Sequence, residues 1–375
     1  MRVILLSSHT PSFFWYRVDL MLEMRAHGAE VFAAGQMPEE DWNTKFEELG
    51  VVYRQIEVSR NGLNPFKDFE TLKSIRNLLM EIKPDKVFLF QAKTVSYGSM
   101  AAASLGIKEI YTLIAGVGSV FLGKTLKEKM VMYTMSYLYK QAFRRSKKVF
   151  LQNNDDKNLL INKGLLKDDK IVMIQGSGVN LDNFSLTVLP EKPTFLYIGR
   201  LVKDKGVGEY LKACQIIKSE YNKKVRCLLV GPYDTNPTAL KPNELQTFIN
   251  DGVIEYFGEQ TDVRPFIRQC SVFVLPSYRE GTPKTVLEAM SMGRAIITSN
   301  APGCKETVIH GVNGYLTEVK NTKDVAEKMK ELIEHPNLVT TMGLKSREMA
   351  VDKFDVRKVN HIILETMGII KEEKD

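Results

Sequence analysis

Short apolar runs alternate with longer stretches whose apolar residues recur every three or four positions, and this alternation runs along the whole chain. Residues 3–6, 30–34, 51–56, 86–90, 110–114, 149–151 and 171–174 read as strands, with helices expected at 14–27, 65–82 and 126–143. After Phe184 the sequence Ser-Leu-Thr-Val-Leu-Pro-Glu-Lys-Pro carries two prolines and reads as an extended linker. The alternation then restarts, with strands expected at 194–198, 225–230, 253–257, 272–275 and 295–298. Strands that alternate with helices predict parallel sheets covered on both faces. The class is therefore α/β: two doubly wound parallel-sheet domains facing a cleft. The expected boundaries are 1–184 for the first domain, 185–193 for the linker and 194–354 for the second. In the tail, 355–375, an amphipathic helix over 355–370 is long enough to cross back over the first domain. No repeat of fixed period is present.

The length of 375 residues suits two domains, at roughly 150 residues each. Hydrophobic residues at 44% and charged residues at 26% exclude a disordered chain. The net charge of +7 suits an anionic ligand or an acidic surface, but it is too small an excess to argue for nucleic acid as a partner. The opening apolar run stops at Ser7-Ser8-His9, which fits a first strand and not a signal peptide. No uncharged run approaches the ~20 residues that a spanning helix needs. A cytoplasmic protein, soluble or peripheral, is expected. The four cysteines form no C-x-x-C pair and read as buried, reduced thiols.

Two nucleotide motifs can be weighed directly. Gly118 to Thr125 satisfies the pattern G-x4-G-K-[ST] after a strand, and a kinase built on it would use Lys124 and magnesium. Its Val-Phe-Leu interior is bulky for wrapping phosphates, and the next strand ends in Gln152-Asn153-Asn154 where a magnesium-holding carboxylate should stand. Three G-x-G triplets, at 116–118, 176–178 and 206–208, are followed by Phe121, Leu181 and Leu211, so none completes the dinucleotide fingerprint G-x-G-x-x-G.

The second domain carries the stronger chemistry. Gly199-Arg200 and Lys205-Gly206 follow its first strand, at the sheet edge where open α/β folds bind ligands. A guanidinium fork and an ammonium from one loop suit a diphosphate. Leu275 to Met290 reads as strand, sharp loop and helix, with Thr282 expected as N-cap and Pro283 as the first helical residue. The amides around Gly281 to Lys284 would then form an anion site at the helix N-terminus. Glu280 on the loop and Glu288 on the helix can face hydroxyls on opposite sides of the phosphates, the layout of a nucleotide sugar.

These residues resemble the group 1 (family 4) retaining glycosyltransferases of the GT-B fold. The most specific part is Glu280 to Glu288 inside E-G-T-P-x3-L-E-A-M, joined to Gly199-Arg200 and Lys205-Gly206; Ser177 to Phe184 and Gly311-Val312-Asn313-Gly314 add to it. The resemblance implies that Arg200 and Lys205 hold the donor diphosphate, that Glu288 binds the ribose and that Glu280 contacts the transferred sugar. Gly293-Arg294-Ala295 departs from the family's G-x-P and is expected to affect only a turn. The loop Ser7-Ser8-His9-Thr10 lacks the usual Gly-Gly pair, which leaves its acceptor contacts open. Ser59-Arg60, Asn64-Pro65-Phe66 and Ala115 to Ser119 resemble a bacterial branch that adds N-acetylhexosamines or related sugars to polyprenyl-diphosphate-linked glycans. There the co-substrate is a nucleotide sugar, here expected to be UDP-linked, and the acceptor is a polyprenyl-linked glycan of surface polysaccharide or glycan assembly.

The segment 121–148 fits an acceptor held at a membrane. Lys124, Lys127, Lys129, Lys140, Arg144, Arg145, Lys147 and Lys148 stand there against Glu128 as the one acid, interleaved with Leu126, Met130, Met135 and Leu138. Such a segment can lie in the headgroup layer of the inner membrane surface, or it can pack its apolar side into the core and leave the basic side wet. No dedicated base is evident, and His9 is the first-domain candidate. No cofactor is expected, and no metal, since no D-x-D motif occurs. A nucleotide-sugar epimerase of the same fold, the Lys124 kinase and a non-catalytic membrane-binding subunit remain as alternatives.

Overall fold

The computed structural model describes residues 1–59, 64–117, 121, 125–221, 224–236 and 238–371. The chain forms two compact units, Met1–Ser177 with Arg357–Asp375, and Gly178–Val356. The first holds strands β1 (Arg2–Ser7), β2 (Glu30–Gly35), β3 (Val52–Gln55), β4 (Lys86–Phe90), β5 (Ile110–Ile114), β6 (Lys148–Leu151) and β7 (Ile171–Met173). They pair in parallel in the order β3-β2-β1-β4-β5-β6-β7. The second unit holds β8 (Thr194–Ile198), β9 (Arg226–Val230), β10 (Glu255–Tyr256), β11 (Val272–Leu275), β12 (Ala295–Ser299) and β13 (Gly314–Thr317), in parallel order β10-β9-β8-β11-β12-β13.

Both faces of each sheet are covered, which is why the central strands read as unbroken apolar runs. In β1 the side chains alternate. Ile4 and Leu6 pack with Ile75 and Leu79 of the Pro65–Ile82 helix. Val3 and Leu5 pack on the opposite face with Phe13, Leu20 and Met21. The same face receives the Val356–Thr366 helix, whose Val359, Ile363 and Leu364 are buried in the first unit's core along with Met367 just beyond it. Burying an aliphatic side chain of that size contributes about 1.5–3 kcal/mol, so this late helix is an integral part of the first unit. Asn360 Nδ2 donates to Glu23 Oε1 at 2.9 Å and fixes its register.

Three features depart from the periodic reading. The expected 14–27 helix is two helices, Pro11–Tyr16 and Val18–Ala26, broken at Arg17 with φ −133°. The Arg17 guanidinium lies buried beside the rings of Phe88 and Phe90, 5.9 and 5.4 Å from their centroids, and burial pushes its pKa down to about 10. The uncharged run after β4 forms a wide helical turn, Thr94–Gly98, and a helix, Ser99–Ser104. The late strand β13 was not foreseen. Its first residue, Gly314, has φ +155°, and a Cβ there would lie 1.9 Å from the Ile296 carbonyl oxygen.

The segment expected as a linker is tied to the second unit, and so is Phe184 just before it, which falls in that unit and not the first. Ser291 Oγ donates to the Phe184 carbonyl at 2.6 Å, and Arg347 Nη1 donates to the same oxygen at 3.2 Å. Arg294 is fully buried, and its Nη1 donates to the Thr187 carbonyl at 3.0 Å while its Nε donates to Ile267 at 2.9 Å. Arg294 occupies the variable position of G-x-P and anchors residues 187–188, whereas the departure itself, Ala295 in place of proline, opens β12 beside Val272. All four cysteines are buried thiols. Among the described residues no helix is long and apolar enough to cross a membrane.

Candidate active site

In the second sheet the chain leaves β8 toward β9 on one side and later returns to β11 on the other. The loops after β8 and β11 therefore flank a topological switch point, where a crevice opens at the carboxyl ends of the strands. Two glycines let these loops meet. Gly206, at φ +71°, leans on the loop after β11, where a Cβ would come 2.0 Å from the Pro276 carbonyl oxygen. Gly303, at φ +81°, leaves no room for a Cβ against the carbonyls of Glu280 and Gly281. The Asp204 carbonyl accepts from Tyr278 N at 2.9 Å and from Ser277 Oγ at 3.1 Å, while Glu280 N donates to the Pro302 carbonyl at 2.9 Å.

The result is an ion pair across the switch point. Lys205 Nζ donates to Glu280 Oε2 at 2.6 Å, and Ser277 Oγ donates to Glu280 Oε1 at 2.8 Å. Arg200 Nη1 sits 2.7 Å from Asp234 Oδ2, on the loop after β9, with its side chain 45% exposed. Tyr197 Oη lies within bonding range of the carbonyls of Arg200 and Lys205, which bracket the loop. Each expected diphosphate-binding cation thus already holds a carboxylate, which an arriving diphosphate must displace. Gly199 belongs to the same frame: the residue facing it, Gly231, would place a Cβ 1.9 Å from the Gly199 carbonyl oxygen.

The helix after Gly281 is Lys284–Ser291, one residue later than expected, with Pro283 and not Thr282 in the N-cap position. Proline reaches this position because it has no N–H to satisfy, and its carbonyl accepts from Val286 N at 3.0 Å. Thr285 Oγ1 donates to the Ile198 carbonyl at 3.4 Å, which joins the first turn to the end of β8. One turn after Lys284, Glu288 is buried. Burial pushes its carboxyl up to about 7, with Lys284 pulling the value down and Asp262 pushing it up.

The first sheet has its own switch point between β1 and β4. Ser7 Oγ and Ser8 Oγ both donate to Gln91 Oε1, at 2.9 and 2.8 Å, and Gln91 adopts φ +76° to meet them. His9 lies on this loop with its ring 5.1 Å from Trp15, centroid to centroid, and its carbonyl accepts from Ser12 N at 3.0 Å. Sequence reasoning missed Gln91, Asp234 and Ser277. Gln91 directly follows β4 and Ser277 lies just behind β11, each at a switch point, and Asp234 lies behind β9, the next strand over; these positions were the signal available.

The basic segment is the helix Leu126–Arg145, opened by a capping box between Thr125 and Glu128. Lys170 Nζ donates to the carbonyls of Phe143, Arg144 and Ser146 at 3.0, 2.8 and 2.7 Å and closes its C-terminus. Tyr139, Ala142 and Phe143 pack into the core, Lys140 is half-buried, and Arg144 and Arg145 are exposed. Arg60, Gly118, Ser119, Gly123, Lys124 and the side chain of Lys127 lie outside the described residues. Beside the P-loop-like stretch, Asp156 Oδ2 accepts from Val117 N and Asn153 Nδ2, both at 3.2 Å.

Comparison with known proteins places these features in a family. Residues 180–349 match the model for glycosyl transferases group 1, and residues 2–153 match that for glycosyl transferase 4-like domains. The N,N'-diacetylbacillosaminyl-diphospho-undecaprenol alpha-1,3-N-acetylgalactosaminyltransferase of Campylobacter jejuni subsp. jejuni serotype O:2 is 30% identical, over 94% of this chain and 94% of its own length. The UDP-Gal:alpha-D-GlcNAc-diphosphoundecaprenol alpha-1,3-galactosyltransferase of Escherichia coli is 26% identical, over 79% and 78%. The crystal structure of Anabaena Alr3699/HepE in complex with UDP and glucose is 16% identical, with a TM-score of 0.78 over 99% of this chain and 100% of that one, a likeness of fold. With matches across both units and a relative of this identity along nearly its whole length, the chain belongs to the group 1 glycosyltransferases and has their GT-B fold.

Proposed function

We propose that this glycosyltransferase moves a sugar, an N-acetylhexosamine or a related hexose, from a UDP donor to a polyprenyl-diphosphate-linked glycan at the cytoplasmic face of the membrane, with retention of anomeric configuration. The names of the Campylobacter and Escherichia relatives, both transferases acting on undecaprenyl-diphosphate-linked sugars, support the acceptor class. The observation that carries the donor reading is the Lys205–Glu280 pair, held by Ser277 at the switch point beside Arg200 and Asp234. In the transfer, an acceptor hydroxyl oxygen bonds to the anomeric carbon as the bond from that carbon to the β-phosphate oxygen breaks. The diphosphate leaves with the electron pair. Arg200, Lys205 and the amides at Gly281, Thr282 and Lys284 meet the charge that develops on it, which is the main electrostatic contribution. Glu288 binds the ribose, Glu280 turns from Lys205 toward the sugar, and His9 takes the acceptor proton.

A donor panel assayed for nucleotide diphosphate release, with and without lipid acceptor, tests this reading. Release should depend on the acceptor; conversion of donor alone into an isomeric nucleotide sugar would point to an epimerase. Activity should survive EDTA, because two cations and helix amides can neutralise the leaving group. Loss of activity in EDTA, restored by magnesium, would return attention to Lys124.

The membrane part of the proposal rests on Lys140, Arg144 and Arg145, on one helix with the first-turn Lys127 and downstream of Lys124. Reversing Lys140, Arg144 and Arg145 to glutamate should lower binding to anionic vesicles by about 100-fold, at roughly 1 kcal/mol for each cation near the surface. High salt should weaken the unaltered protein in the same direction. A flotation assay with no vesicle association at low salt would remove the membrane contact.

A further inference from the structure

The Leu126–Arg145 helix has two apolar stripes, and only one of them is used by the core. Tyr139, Ala142 and Phe143 are buried. Leu126, Met130, Tyr133 and Tyr137, at helical spacing of four, three and four, are 79%, 65%, 67% and 62% exposed. A second helix brings matching residues from elsewhere in the sequence: Phe66 and Phe69, near the start of Pro65–Ile82, are 84% and 67% exposed. Their helix begins with Asn64 Oδ1 accepting from Phe66 N at 3.1 Å, so these aromatics stand on a formed first turn.

The two helices line one cavity of about 450 Å³, whose wall includes Phe69, Leu72, Met100, Thr134 and Leu138. The charge at its floor is already paired. Lys93 Nζ donates to Asp68 Oδ1 and to Ser59 Oγ, both at 2.7 Å. No net charge is left there to recruit a polar ligand, and apart from the hydroxyls of Tyr97 and Thr134 the rest of the wall is apolar. Contiguous apolar surface of this kind on a folded unit marks an interaction site. Charge decides what covers it. Lys67 and Lys129 are exposed on the same two helices, and Arg144 and Arg145 follow the stripe. Tyrosines beside cations are the composition found at the level of lipid headgroups.

We propose that the cavity between these two helices holds the isoprenoid chain of the lipid-linked acceptor, while the exposed stripe of Met130, Tyr133 and Tyr137 with Phe66 and Phe69 enters the headgroup boundary. This rests on the polyprenyl acceptor reading and adds a site to it. A neutral, open, apolar cavity beside a basic helix suits a chain whose one charged end is a diphosphate: the hydrocarbon enters the cavity, and cations remain outside for the anion.

The test uses a three-isoprene diphosphate carrying a terminal diazirine, a one-isoprene diphosphate with the same label, and a diazirine fatty acid of length similar to the first. After irradiation, peptides from the full chain are mapped by mass spectrometry. The three-isoprene probe should label 65–72 and 126–138, with labelling at least about tenfold above the one-isoprene probe. Thr134→Trp, at an exposed position in the cavity wall, should reduce that labelling about tenfold with the melting temperature unchanged. Phe69→Ser, which leaves the cavity unfilled but removes an exposed aromatic, should weaken vesicle binding. Labelling confined to other segments, equal labelling by the fatty acid, or labelling unchanged in Thr134→Trp would each overturn the isoprenoid site. The functional reading stands or falls separately: sugar transfer to a polyprenyl-linked acceptor without labelling here removes this site alone, whereas no transfer to any polyprenyl-linked acceptor removes the reading and the site with it.

Discussion

Replacing Lys205 with alanine lowers kcat/KM for the nucleotide-sugar donor by roughly 10²–10³-fold, the expected cost of losing one member of a desolvated charge pair on an anion. The loss has two parts. The ammonium no longer meets the diphosphate, and Glu280, whose side chain is only 10% exposed, loses its cation. A carboxylate left facing the diphosphate repels it, on the order of 4 kcal/mol for unit charges 4 Å apart in a partly wet site. Neutralising that carboxylate should therefore help the damaged enzyme. Lys205→Ala combined with Glu280→Gln should recover about tenfold over Lys205→Ala alone, even though Glu280→Gln by itself depresses kcat. Arg200→Ala should cost less than Lys205→Ala, because Arg200 is 45% exposed and its interactions are screened by water. Near-normal kcat/KM in both single variants, measured with the correct fold by circular dichroism, would sink the diphosphate assignment.

The second large effect belongs to Glu288. Its carboxyl is raised by burial from the ordinary 4.5 to about 7. The folded chain therefore holds this proton more tightly than the unfolded chain, and the group favours folding below about pH 4.5. That contribution is lost as pH rises through about 7, so above neutrality the ionised, buried carboxylate is a burden of about 3 kcal/mol, at 1.36 kcal/mol for each unit of displacement. Glu288→Gln should raise the melting temperature at pH 8 and change it little at pH 4.5. The same substitution should weaken binding of the free nucleotide diphosphate whatever sugar the donor carried, since in the proposed site the ionised carboxylate accepts from ribose hydroxyls. Donor affinity of the unaltered enzyme should accordingly increase between pH 6 and 8. Stability bought at the expense of affinity is the behaviour of a binding group, not a packing group. A Glu288→Gln variant that is less stable at pH 8, with unchanged nucleotide affinity, would show that the carboxylate serves the fold.

Much of this molecule was legible one residue run at a time. The strands at 86–90, 110–114, 194–198 and 272–275 fall where the sequence puts them, because a strand buried on both faces has no polar interruption to blur its ends. The helix at 65–82 was equally clear from Asn64-Pro65 at its start. What stayed hidden depends on partners far away in sequence. Periodicity runs straight through Arg17, whose break answers to the rings of Phe88 and Phe90. Gly314 to Thr317 opens on a glycine and holds only two apolar residues, so no apolar run announces it, and it becomes a strand only beside β12. In the candidate site, motif spacing brought out Arg200, Lys205, Glu280 and Glu288 but could not say which carboxylate would hold which cation. Lys205 finds Glu280 at 75 residues' separation, and Arg200 finds Asp234, a residue no motif contained. Pairing of that kind is decided by loop closure at Gly206 and Gly303, where the requirement is space for a neighbouring carbonyl.

The placement of residues 357–371 in the first unit has a consequence for how the chain is made. During synthesis Leu20, Phe88 and Phe150 leave the ribosome long before Val359, Ile363 and Met367, the residues that pack with them. The entire second unit is translated in the interval, so it can fold while the first still lacks part of its apolar cover. A chain cut short anywhere in the second unit keeps that surface open and presents it to chaperones and proteases. The surface closes only when Val359 to Met367 have emerged and packed, so the first unit's core is completed after the whole second unit has been made.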